Sequence, residues 1–363
     1  MPGLAAIVST PPFSVRCSHT LEDAVTDLAW SDDGAALLVG NAAGMMHRFD
    51  GSGTTLARWQ AHHGGVTRVR LRPGNQDTLA TAGEDGRVVL WDSVSGAEKT
   101  TLVNETDWVE HLAWTPDGQV LATAARKTIS LWRDGESLGM WYDARRQVLA
   151  IAWAPDGRRL ASAANKGLYL WRMDTGASGE TQPVQLLAFP GAPVSVAWQP
   201  KGQALAVGTQ DGFLQVWRQG AGRAAARQLT MRGYPGKVSC LAWHPSRPLV
   251  ATAGGPDVVL WELPRDDKGA RGKPLRHHQA TITALGWSAD GRLLASGDRA
   301  GRLCIWDSDG QAIFTQAVGH EITVIHWQPA RDVLSVADIS GGLHLIDQVQ
   351  PDSDPAMRPG AEP

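Results

Sequence analysis

The sequence predicts an all-β fold in which eight small antiparallel sheets of four strands close into a single ring. Three observations predict it. A short phrase recurs eight times along the 363 residues. Its copies are followed by turn residues and further strand-like runs. One strand-like run near the start belongs to no unit of its own, whereas the last unit is one strand short.

The phrase is "VTDLAW", Val25–Trp30. It returns as "VTRVRL" ending at Leu71, then as "VEHLAW", "VLAIAW", "PVSVAW", "VSCLAW", "ITALGW" and "ITVIHW", ending at Trp114, Trp153, Trp198, Trp243, Trp287 and Trp327. Successive copies lie 39–45 residues apart. Several copies continue into "SDDG", "TPDG", "APDG" or "SADG". A small-residue run such as "TLATAG" or "LLASGD" follows, then a third run such as "VVLWD" or "LCIWD". The runs are short, rich in Val, Ile, Leu and Trp, and punctuated by Gly, Pro, Asp and Asn, which is strand chemistry. No stretch sustains helical periodicity with caps. The first run is apolar on both faces, as a strand covered by sheets on each side must be. A four-stranded sheet repeated every 40–45 residues is a β-propeller blade, and such blades bury their faces only by stacking into a closed ring.

The usage of 16 Trp against 3 Tyr and 5 Phe fits this reading. Seven Trp end first strands and six lie in third strands, where core packing is their expected role. Trp59 and Trp141 fall in fourth strands. Trp108, in a connecting loop, is the candidate for exposed recognition.

The ring closes at "FSVRCSH", Phe13–His19. This run alternates apolar and polar residues as a half-exposed outer strand does. It is assigned as the outer strand of the last blade, removing two open sheet edges and leaving Cys17 half-buried and unreactive. The expected organisation is a tail over 1–11, one eight-bladed propeller over 12–349, and a Pro- and Asp-rich disordered tail over 350–363.

On these residues the chain resembles the WD-repeat (WD40) family of β-propellers from about Phe13 to Val349. The best match is "AHHGGVTRVRLRPGNQDTLATAGEDGRVVLWD", Ala61–Asp92. The resemblance implies a structural hydrogen-bond tetrad at His62, Thr81, Asp85 and Trp91. The seventh unit offers His278, Ser296 and Trp306 but has Ala300 where the Asp is expected. The fifth keeps Asp211 and Trp217 without the His. The first and eighth have Phe49 and Ile346 in place of the third-strand Trp.

Composition excludes several function classes. A net charge of -3 gives no global field for nucleic acid or anionic membrane. Three scattered cysteines without CxxC fit a reducing compartment. The N-terminus lacks a basic n-region, and no run approaches membrane-spanning length. The expectation is a cytoplasmic monomer. Heavy Arg and Ala use points to a GC-rich, bacterial genome. Signatures of nucleotide, hydrolase and metalloprotease chemistry are absent. Asp33, Asp117, Asp156 and Asp290 all fall at the same turn position, where Asp-Gly is turn chemistry.

The leading expectation is a non-catalytic scaffold that binds a protein or peptide on one face of the ring, as the resemblance implies. The candidate contact residues are Glu22, Asp23, Trp108, Arg145, Arg146, Lys166, Tyr234 and Lys237 in loops. Asp27, Arg68 and Glu110 join them, as charges within otherwise apolar first strands at the channel mouth. Two basic insertions, "RQGAGRAAARQLTMRGYPGK" and "LPRDDKGARGKPLRHH", read as spacers. The alternative is a transition metal such as zinc held by loops bearing His19, His62, His63, His277, His278 and His320, with Cys17. A pair such as His19 with His62 or His63 is within reach across adjacent blades, but one site over the whole arc is not. A third class, a small-ligand or enzymatic site in the channel mouth, rests on Asp27, Arg68 and Glu110 alone. No cofactor is otherwise expected.

Overall fold

The computed structural model describes residues 13–104, 107–142, 147–165, 167–173, 183–188, 191–218, 227–263 and 269–349. The expected tails lie outside these residues. The described residues form eight antiparallel sheets of four strands each, and each sheet is one blade. The inner strands are Val25–Trp30, Val66–Arg72, Val109–Trp114, Val148–Trp153, Pro193–Trp198, Cys240–Trp243, Ile282–Trp287 and Ile322–Trp327. They number blades 1 to 8. From each, the chain steps outward through a second and a third strand to an outer strand. The loops leading into the inner strands emerge on the same face as the turns between second and third strands. This face is termed the top.

The predicted closure is present. Phe13–Thr20 is the outer strand of blade 8 and pairs with Gly342–Gln348, from Phe13 opposite Gln348 to Thr20 opposite Gly342. Phe13 is 1% exposed and packs against Phe314 at 5.8 Å and Trp327 at 6.4 Å between ring centroids. Arg16 forms an ion pair with Asp347 across the two strands. At the inner edge the Thr323 hydroxyl donates to the Val25 carbonyl at 2.8 Å, joining blade 8 to blade 1.

That hydroxyl bond recurs around the ring. Thr67, Ser195 and Thr283 each donate to a carbonyl at the start of the next blade's inner strand or two residues before it: Val109, Val238 and Ile322. The inner-strand tryptophans form a second set on the opposite face. Trp153, Trp198, Trp243, Trp287 and Trp327 donate from Nε1 to the carbonyl of Ala113, Ala152, Ala197, Ala242 and Gly286 in the preceding blade, at 2.9–3.1 Å. In these five blades the repeated Trp is both a packing residue and a blade-to-blade donor, whereas Trp114 of blade 3 packs with its buried indole N–H unpartnered among the described residues. At the seam, Trp30 donates to Ser335 Oγ, which donates onward to the His326 carbonyl.

The turns obey the expected chemistry. Asp33, Asp117 and Asp290 accept from the preceding Ser31, Thr115 and Ser288 hydroxyls at 2.6–2.7 Å. The glycine after each of these Asp residues, and after Asp156, has positive φ, from +66° at Gly157 to +76° at Gly291, a region that disfavours a Cβ.

Candidate functional site

Seven of the eight blades carry a neutral or small residue at the fifth inner-strand position or a single polar one, but blades 1 to 3 and 8 gather charge near the axis. Asp27 is 6% exposed and acts as a clamp. Its Oδ2 accepts from the Val69 N–H at 2.9 Å and from Arg70 Nη1 at 2.6 Å, both in blade 2. His326 of blade 8 lies within electrostatic reach of Asp27 and Arg70, and burial holds its pKa below the ordinary value. Burial, with Arg68 and Arg70, pushes the His111 imidazole down to about 3. His111 is therefore uncharged near neutral pH. The opposite half of the inner wall carries Ala150, Ala152, Ser195, Ala197, Cys240, Ala242, Ala284 and Gly286.

Above this charged arc lies a cavity of about 500 Å³ whose walls come from blades 8, 1, 2, 3 and 4. Arg68, Glu84, Trp108, Glu110, His111 and Ile339 contribute its polar and bulky lining. A second cavity of about 490 Å³ adjoins it, sharing Trp108 and Glu110 and bounded by Asp107, Arg126, Lys127 and Gln147. Trp108 is 55% exposed and Ile339 52%, both at the rim.

Among the sequence candidates, Arg68, Trp108 and Glu110 come together here. Glu22 does not join them. It ion-pairs with His47 Nε2 at 3.0 Å and Arg58 at 3.5 Å, and its pKa is held low chiefly by a backbone hydrogen bond. Asp23 accepts from the Ala24 N–H. Lys237 is exposed beside a cavity of about 440 Å³ between blades 6 and 7. Arg145, Arg146 and Lys166 lie outside the described residues.

Tyr234 has an internal role. Its hydroxyl lies 2.5 Å from Thr252 Oγ1 and accepts from Trp261 Nε1 at 2.6 Å. It stands where blade 2 has a histidine. In blade 2, His62 Nδ1 is 2.9 Å from Asp85 and Nε2 is 2.8 Å from Thr81 Oγ1, which accepts from Trp91 Nε1 at 2.8 Å. A carboxylate only accepts, so Nδ1 carries a proton, and the Thr81 hydroxyl, while accepting from the indole, can donate to Nε2, which makes the imidazole a neutral Nδ1–H tautomer in that arrangement. Burial, the largest influence, lowers its pKa and so favours the same form.

Blade 7 corrects the sequence reading. Ala300 occupies the expected acidic position, yet the tetrad is complete. Asp298, two residues earlier, places Oδ2 2.8 Å from His278 Nδ1, and Nε2 is 2.7 Å from Ser296 Oγ. Trp306 donates to the same Ser296 Oγ. In blade 2 that earlier position is Gly83, where a Cβ would meet His62 Nδ1 at 2.3 Å and Asp85 Oδ1 at 2.7 Å. The two solutions exclude one another sterically, so alignment on one hides the other.

The remaining metal candidates are dispersed. His19 Nε2 is 2.8 Å from the Gly53 carbonyl, with its ring against Phe49. Cys17 packs by Ser52 and Gly53, and burial raises its pKa. His63 and His320 are exposed, and His277 stands edge-on to Trp306. Both ring nitrogens of His62 and His278 are occupied. Among the described residues no group of three or more His, Cys, Asp or Glu is placed to hold a metal ion.

Ring, repeat and hydrogen-bond pattern together define a repeat-built eight-bladed β-propeller. The WD domain, G-beta repeat, matches residues 53–92, 96–133 and 135–172, and the IFT140 first beta-propeller matches 182–323. The chain belongs to the WD-repeat β-propeller family, whose members are generally non-catalytic scaffolds. Among its relatives, telomerase protein component 1 of Rattus norvegicus is 27% identical over 75% of this chain and 10% of its own length. Coronin-7 of Bos taurus is 35% identical over 28% of this chain and 12% of its own. Ribosome assembly protein 4 of Chaetomium thermophilum is 34% identical over 18% of this chain and 12% of its own. The matched segments thus span about a tenth of the length of each of these eukaryotic relatives. A crystal structure of the computationally designed Ika8 protein superposes with a TM-score of 0.75 at 21% identity, covering 91% of this chain and 98% of that one. That likeness concerns the fold alone. Among the described residues no helix is long and apolar enough to cross a membrane.

Proposed function

We propose that the chain is a non-catalytic scaffold that docks a protein segment on its top face, over the cavity at the channel mouth. The observation that carries this reading is the pairing of Trp108 and Ile339, 55% and 52% exposed, on the rim of a cavity of about 500 Å³. A rigid ring fixes these rim residues from separate blades, so a docked segment is met by a preformed surface. Interface anchors are characteristically aromatic and sit in such pockets. The family membership supports the same reading.

The test is site-specific photo-crosslinking. A crosslinking amino acid at 108 or 339 captures a partner protein from cell lysate. The same group at Leu186, on the outer strand of blade 4, does not. Trp108→Ala and Ile339→Ala in the full chain reduce capture through the unaltered top-face position. Equal capture from position 186, or capture unaffected by both substitutions, would refute a top-face site.

A further inference from the structure

Arg68 is the group in the cavity that the fold does not account for. It projects from the third position of the blade 2 inner strand and is half-buried. Of its five N–H donors, one bond is made, from Nη1 to the Thr67 carbonyl at 2.6 Å. The nearest buried carboxylate, Asp27, is already committed to the Val69 N–H and to Arg70. Glu84 accepts from the Gly65 N–H at 3.2 Å, and Glu110 accepts from Gln147 at 3.3 Å. Among the described residues none of these carboxylates comes within ion-pair distance of the Arg68 guanidinium. A guanidinium drawn out of water without a carboxylate is a costly arrangement. Its planar fork is shaped for two parallel bonds to one.

Resting on the reading above, we infer that Arg68 is the anchor for a carboxylate carried by the docked segment, with an apolar neighbour of that carboxylate seated on Trp108 and Ile339. The ligand chemistry is therefore one acidic group beside one bulky apolar group. Glu110, at the mouth and shared by both cavities, repels a second acid. A polyacidic segment is disfavoured, and a single carboxylate flanked by neutral residues is selected. The carboxylate belongs either to an Asp or Glu side chain or to a chain terminus. Both present the same pair of oxygens to the guanidinium.

The experiment uses the full chain and nine-residue peptides carrying an uncharged boron-dipyrromethene fluorophore, read by anisotropy. One set is C-terminally amidated with a central Glu flanked by Leu or Phe. A second replaces that Glu by Gln. A third has its free C-terminal carboxylate as the sole acid. Binding is expected for the first or the third set, which identifies the source. The carboxylate-free set should bind at least tenfold more weakly, a difference of about 1.4 kcal/mol. Arg68→Gln should abolish that preference, and Arg68→Lys should keep part of it. Ligand-free Arg68→Gln should unfold at or above the wild-type temperature, because no carboxylate partner is lost and the one bond removed, to the Thr67 carbonyl, is outweighed by relief of an unpaired, partly desolvated charge. Binding by the Gln set as tight as that of the better of the other two sets, no binding by any set, or an unchanged preference in Arg68→Gln would each overturn the inference. If Trp108→Ala alone prevents partner crosslinking while Arg68→Gln leaves it intact, the top-face reading stands and the carboxylate anchor falls.

Discussion

The blade 7 tetrad makes a quantitative prediction. Asp298 and His278 have side chains 1% and 0% exposed. Replacing Asp298 by Ala removes the acceptor for His278 Nδ1. It also removes the acceptor for the N–H groups of Ala300 and Arg302, both 2.9 Å from Oδ1. The loss of one charge-assisted bond in the interior, with the turn amides left to find water, should cost roughly 3–5 kcal/mol. Asp298→Asn keeps one carbonyl oxygen and should cost about half as much. The informative variant is the double change Asp298→Gly with Ala300→Asp. It rebuilds blade 2, where Gly83 leaves room and Asp85 supplies the carboxylate. Urea denaturation followed by tryptophan fluorescence and circular dichroism is the assay. The double variant should recover most of the loss that Asp298→Ala produces. If it is no better than Asp298→Gly alone, the two acidic positions are not interchangeable and the steric argument is wrong.

Three further outcomes are expected. Phe13→Ala should cost about 3–5 kcal/mol and promote oligomers in size-exclusion chromatography with light scattering, because loosening the closing strand exposes the edge of Gly342–Gln348. Tyr234→Phe removes the hydroxyl that bridges Thr252 and Trp261 and should cost about 1–3 kcal/mol, seen as a lowered urea midpoint. Stability should fall on acidification below pH ~6.5. Burial depresses His62, His111, His278 and His326 in the folded state, His111 to about 3. The unfolded chain therefore binds protons between its own pKa and the folded one, and each such histidine contributes a loss approaching ~1.4 kcal/mol per pH unit. A His111→Gln variant should flatten the slope between pH 6 and 4, and an unchanged slope would contradict the assignment.

Much of the fold was legible because a blade cannot bury its faces alone. The Trp-terminated phrase had to recur wherever a sheet met its neighbour, and the orphan run at Phe13 had to complete the unit lacking a strand. The site was less legible. Arg68 and Glu110 stand out as charges in apolar strands, and Arg70, His111 and His326 obey the same rule without a further signal that links them. Their significance comes from convergence at the axis, which strand spacing does not encode. Asp298 was hidden because the acid moved two places along a tight turn while its carboxylate kept the same point in space. Tyr234 read as a surface residue because an aromatic in a histidine's place has no signature until its hydroxyl is seen between Thr252 and Trp261. Ile339 had no signal at all, being one apolar residue in a polar turn.

The seam has a consequence for synthesis. Arg16 and Asp347 are 331 residues apart along the chain, so the closing strand is translated long before its mate. Until the mate arrives, that strand must be kept from pairing with the wrong neighbour, and such distant pairings form slowly. Seven blades can stack as they emerge, while the eighth waits on both ends. A circularly permuted gene that makes Phe13–Thr20 directly after Gln348 would turn this delayed pairing into a local hairpin, and should refold faster from urea with the same final ring.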